Sequence, residues 1–131
     1  MATRIPLPEG WGEAWLHGAG GHRPKDAMTA RSYDHLGRQL VWMSSAANGL
    51  VACDIESGTG NAVSEMASHF RLDEQEFRRR WVLAEVQAKL ADVPVLLWLK
   101  KHGLPAAPSE DVQVCICRAD AAMMAFGRRA E

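Results

Sequence analysis

The sequence predicts an α+β fold, a small antiparallel sheet (a β-meander plus a C-terminal strand) packed on about three helices in a single domain. Three observations predict it. Val51, Cys53 and Ile55 alternate with Ala52, Asp54 and Glu56, and Val112, Val114 and Ile116 alternate with Gln113, Cys115 and Cys117, the period of half-buried strands. Between these stretches, residues 62–102 carry apolar side chains at helical spacing, with capping and stop signals at the joints. A chain of 131 residues, 47% hydrophobic and 24% charged, can bury one core without metal or disulfide help.

The elements follow in order. Residues 1–27 read as an irregular N-terminal segment, because Pro6, Pro8 and Pro24 and five glycines (Gly10, Gly12, Gly18, Gly20, Gly21) interrupt any periodic pattern. The α+β core domain is expected over 28–118. In the meander, 28–56, Asp34 and Gly37 mark one turn, and Asn48-Gly49 marks a second, tighter one. A short helix over 62–71 presents Val63, Met66, Ala67 and Phe70. Asp73 and Glu76 form a capping-box pair opening a long helix over 73–91. Its apolar stripe is Phe77, Trp81, Ala84 and Ala88, widened by Val82, Val86 and Leu90. Asp92 is placed to cap a third helix over 93–102, with Pro94 in its first turn and Gly103 and Pro105 ending it. The strand at 112–117 returns to the sheet beside the meander, and 119–131 is a short terminal helix, near 121–126, or a tail. The expected core is Leu40, Trp42, Val51, Ile55, Met66, Phe70, Phe77, Trp81, Leu90, Leu97, Val114 and Ile116.

Charge narrows the function classes. With 15 basic and 16 acidic residues the net charge is −1, which excludes a purely electrostatic nucleic-acid binder. No apolar run is long enough to cross a membrane. An odd number of cysteines (Cys53, Cys115, Cys117) and a polar, proline-containing start point to a reducing, cytoplasmic setting.

Several constellations carry chemical meaning. The segment 64–90, with its corner at Arg71-Leu72-Asp73 and its Arg78-Arg79-Arg80 run, has the spacing of a helix-turn-helix. Its second helix, however, starts with Asp73-Glu74-Gln75-Glu76, and those carboxylates would face phosphate. Pairing at four-residue spacing joins Glu74 to Arg78 and Glu76 to Arg80, and leaves Arg79 opposite Gln75. Residues 51–61, VACDIESGTGN, form an acidic strand end running into Gly58-Thr59-Gly60. This resembles the first motif of the S-adenosylmethionine-dependent methyltransferases over about ten residues, and implies a nucleotide- or S-adenosylmethionine-binding enzyme. Glu56 stands where that motif has its first glycine, and helices follow where a second parallel strand is expected. Cys115 and Cys117 point to one face of their strand, but no Cys-x-x-Cys pair accompanies them, so no metal site is assigned. Cys53-Asp54 with His69 lacks an oriented base, and Gly18–His22 lacks the lysine of a phosphate loop.

The reading that remains is a small non-enzymatic protein that binds another protein as an inhibitor, adaptor or regulator, with no catalytic, cofactor or metal residues. Five tryptophans among 131 residues favour this, because tryptophan and arginine dominate contact hot spots. The candidate contact residues are Trp11, Trp15, Arg78, Arg79 and Arg80. A DNA-binding regulator built on 64–90 is the alternative, and the cofactor-binding enzyme using 51–61 is a remote one.

Overall fold

The computed structural model describes residues 2–19, 29–45, 50–57 and 61–129. It is an α+β domain of seven strands and three helices among those residues. Strands β1 (Ala2–Ile5), β2 (Glu13–His17), β3 (Thr29–Tyr33) and β4 (Gln39–Met43) form an antiparallel sheet in the order β1-β2-β4-β3. Strands β5 (Val51–Glu56), β6 (Val112–Ala119) and β7 (Ala122–Arg129) form a second antiparallel sheet in the order β5-β7-β6. Helices α1 (Asn61–His69), α2 (Glu74–Leu90) and α3 (Val95–His102) connect β5 to β6. The layers stack as first sheet, second sheet, helices.

Two apolar cores result. Ile5, Leu16, Leu40 and Trp42 of the first sheet meet Cys53, Ile55, Met124 and Phe126 of the second. On the other side of the second sheet, Val82, Val86 and Leu90 of α2 lie on Ala52, Met123 and Ala125. A smaller cluster joins Ala84 and Ala88 of α2 to Trp98 of α3. The second sheet is therefore apolar on both faces, as a sheet covered on both sides must be.

This arrangement corrects the expected single sheet. The meander divides, with β3 and β4 in the first sheet and β5 in the second. The N-terminal segment supplies β1 and β2, although its prolines and glycines read as irregular; those residues fall between the strands, at Pro6, Pro8, Gly10 and Gly12. The larger correction is at the C-terminus. Residues 121–126, read as a helix, lie in a hairpin turn and in β7, the central strand of the second sheet. Ala-Ala-Met-Met-Ala-Phe is a good helix former by propensity, but burial on both faces outweighs propensities of a few tenths of a kcal/mol per residue, about. The turn before it uses Asp120 and Ala121 at φ 50° and 59°.

The local signals hold where the chain alone decides them. Asp34 Oδ1 accepts from the Leu36 and Arg38 amides at 3.0 and 2.8 Å, and Gly37 has φ 79°. Asp73 caps α2 by accepting from the Glu76 amide at 2.8 Å. Gly103 ends α3 at φ 76°, its amide donating to the Leu99 carbonyl at 2.7 Å. Asp92 does not cap α3: it takes φ 55° in the turn after α2, and Pro94 is the N-cap residue. The Asn48-Gly49 turn, the Gly58–Gly60 loop, Met28 and the 20–28 stretch lie outside the described residues.

Of the expected core, Leu40, Trp42, Ile55, Phe77 and Leu90 are buried, and Val51, Trp81, Val114 and Ile116 are half-buried. Met66, Phe70 and Leu97 are exposed.

One close approach sets the helix-to-sheet distance. A Cβ on Gly127 would lie 2.1 Å from Val86 Cγ1 and 3.3 Å from Leu90 Cδ1, so α2 rests directly on the β7 backbone there. Gly127→Ala should therefore destabilise the fold by about 1–3 kcal/mol, the usual cost of overpacking. Val86→Ala in the same chain should recover part of the loss, measured as the denaturant midpoint.

Candidate protein-binding surface

The fold holds the five residues singled out from sequence in different ways. Trp11 is half-buried and stacks on Trp42, ring centroids 5.9 Å apart, while its carbonyl accepts from Trp42 Nε1 at 2.7 Å. Trp42 meets Phe126 edge-on at 5.5 Å, and the Arg128 guanidinium covers Trp11 at 4.0 Å. This column of rings ties the N-terminal segment to both sheets, so Trp11 is an anchor. Its tight turn needs Gly12 at φ 89°, where a Cβ would lie 2.1 Å from the Met43 carbonyl oxygen.

The arginine run is arranged differently from the four-residue pairing. Glu76 takes Arg79 in a two-pronged contact, at 2.8 and 2.9 Å, and Arg80 at 2.9 Å. Glu74 instead accepts from the Ser64 hydroxyl. Arg79, expected to stand apart, also donates to the Ala106 carbonyl at 2.9 Å, and so pins the loop after α3. The two guanidiniums, Arg79 foremost, hold the Glu76 carboxyl down at about 2. Arg78 is buried, 7% exposed, beside Gln75, Arg118 and Met123. Trp15 is half-buried on β2, in register with Arg4 and Val41.

A polar seam runs where β3 lies beside β5. Lys89 Nζ donates to Ser32 Oγ, the Cys53 carbonyl and Asp54 Oδ1 at 3.2, 2.9 and 3.2 Å, and Ser32 donates to Asp54 at 3.2 Å. Ser57, Asp34 and His35 form a second group. The Ser57 hydroxyl donates to Asp34 Oδ2 at 2.8 Å and lies 3.3 Å from His35 Nδ1. A nucleophilic serine needs its proton taken by a base that an acid orients. Here the proton is committed to Asp34, which also binds Arg38 Nε at 2.7 Å and two amides, so the group braces a turn. Cys53 and Asp54 point to opposite faces of β5, one into the inter-sheet core and the other to the seam. Burial pushes the Cys53 thiol up to about 12, far from a reactive thiolate. Cys53 and Cys115 share a face, but β7 runs between them and places Phe126 opposite both. Among the described residues no three ligating side chains gather as a metal site.

Large apolar side chains are exposed at Tyr33 and Leu36, on β3 and in the turn after it, at Leu50 before β5, and on and beside the two short helices. On α2, Val82, Val86 and Leu90 face the sheet, while Phe77, Trp81, Ala84 and Ala88 point the other way. Phe70, in the turn after α1, stacks on Phe77 at 5.9 Å, and Phe77 meets Trp81 at 5.9 Å, whereas α3 covers Ala84 and Ala88. Both short helices thus sit on the outer side of α2. They leave Met66 and Phe70 40% exposed, and Leu96 and Leu97 72% and 59% exposed. Sequence reasoning assigned three of these to the core. One signal was present: Leu96-Leu97-Trp98-Leu99 is four apolar residues in a row on a helix, and they cannot all face inward.

No protein-family model, curated protein or solved structure matches the chain. The seam makes its own pH dependence. Burial, opposed by Lys89, pushes the Asp54 carboxyl up to about 7 from an unfolded value of 3.8. Between those values the folded chain holds more protons than the unfolded one, so stability falls as pH rises through the window. Asp54→Asn should flatten that fall, seen in denaturant midpoints across the same range.

Proposed function

We propose that the chain is a non-enzymatic protein-binding module, and that its contact surface is the outer face of α1 and α3. The observation that carries this reading is the exposure of Met66 and Phe70, where Phe70 continues the aromatic row Phe77 and Trp81, and of Leu96 and Leu97 on α3. Apolar residues gathered on one side of a soluble domain, with polar residues around them, mark an interaction site. The rim is cationic at the end of α3, with Lys100 and Lys101, and at Arg71. This fits an amphipathic partner segment with apolar anchors and acidic flanks, placed as an inhibitor, adaptor or regulator would place it. The three free cysteines suit a reducing compartment.

The DNA-reading alternative gains nothing from the helix pair. Phe77 and Arg78 are buried, and Arg79 and Arg80 are joined to Glu76, so α2 does not project as a groove-reading helix does. The two glycines of the cofactor motif, Gly58 and Gly60, lie outside the described residues.

Leu96→Asp together with Leu97→Asp should abolish capture of partners that the unaltered chain retains from nuclease-treated lysate, with the thermal midpoint kept. Those two side chains contribute little to the core, so fold and binding separate cleanly. An identical set of captured proteins for both chains would rule out this surface.

A further inference from the structure

Strand β6 is the last strand of the second sheet. It pairs with β7 on one side, and among the described residues no strand pairs with the other. Protein edges are usually blunted by proline, lysine, a bulge or a covering segment, because unpaired amides and carbonyls recruit other strands. Residues 112–117 of β6, VQVCIC, have none of the first two, and the register with β7 runs unbroken from Val112 to Ala119. Val114, Cys115, Ile116 and Cys117 are half-buried, packed on a core at one flank.

The strand is also complementary to itself. In an antiparallel register centred on Val114, Val112 lies opposite Ile116 of a second copy, and Val114 opposite Val114. Face parity is preserved, since these residues all point to the α2 side of the sheet. At each end the same register brings Glu110, in the turn before β6, beside Arg118 of the other copy. Both are exposed and opposite in charge.

We propose that the chain self-associates through β6, two second sheets joining into one six-stranded sheet around a two-fold axis at Val114. The surface is separate from the outer face of α1 and α3. The Leu96→Asp, Leu97→Asp chain should therefore associate normally, and failure of one proposal leaves the other standing.

Sedimentation equilibrium on the full chain in reductant should show a concentration-dependent dimer. Arg118→Glu should weaken it about tenfold, because two end contacts become repulsive together. Adding Glu110→Arg should restore it. Opposed residues in an antiparallel pair lie about 4.5–5.5 Å apart at Cα, within disulfide range. Val114→Cys in a Cys115→Ser, Cys117→Ser background should accordingly cross-link between copies on oxidation. A monomer at every concentration would overturn the proposal. So would a dimer that ignores the charge exchange, or one that does not cross-link at residue 114.

Discussion

The depth to which α2 settles onto β7 controls most of this molecule. Small residues pave the contact: Ala52, Ala125 and Gly127 beneath Val82, Val86 and Leu90. With no side chain at 127, the helix axis can come within reach of the sheet backbone, and dispersion and burial act over its whole length. The same strand presents Met124 and Phe126 to the first sheet. One eight-residue strand is thus the shared wall of two cores. Anything that displaces it loosens both at once, which is why β7 is buried from Ala122 to Gly127.

A deeply seated α2 becomes an internal spar, and this decides what remains available for contact. Its sheet side is occupied, and its outer side is partly filled by α1 near Phe77 and by α3 near Ala84 and Ala88. The arginine run at its start is drawn into structure. Arg78 is buried, while Arg79 and Arg80 converge on Glu76 and Arg79 also ties the loop at Ala106. The two short outer helices have only eight or nine residues each, too few to turn every apolar side chain inward. Exposed leucine, methionine and phenylalanine are the consequence.

Polar groups in the interior follow the same geometry. Where β3 and β5 come side by side, Lys89 reaches from α2 to satisfy Asp54, Ser32 and the Cys53 carbonyl together. The carboxyl is poorly hydrated there, and the lysine offsets only part of that cost. Trp42 is treated likewise: fully buried, it keeps its one donor by bonding the Trp11 carbonyl. The tryptophan excess in the sequence thus serves packing at Trp11, Trp42 and Trp98.

The sequence by itself determined the features that act over a few residues. The Asp34–Gly37 turn, the Asp73 cap, the Gly103 stop, the strands at 51–56 and 112–117 and the α+β class were all legible, because short-range hydrogen bonds and side-chain period decide them, although β5 is buried on both faces rather than half-buried. Tertiary structure decided the rest. It made a strand of a helix-prone Ala-Met stretch, because only an extended chain could feed two cores from its two faces. It drew β1 and β2 out of a proline- and glycine-rich segment by offering Leu16, Ile5 and Ala14 a place to be buried. It gave Glu76 two arginines where spacing alone assigned one, since a planar guanidinium three residues away can reach the same carboxylate. And it left Met66, Phe70, Leu96 and Leu97 uncovered, because which side of a helix meets the core depends on partners distant in sequence. Local pattern identifies an apolar stripe; only the packed layers determine whether anything lies against it.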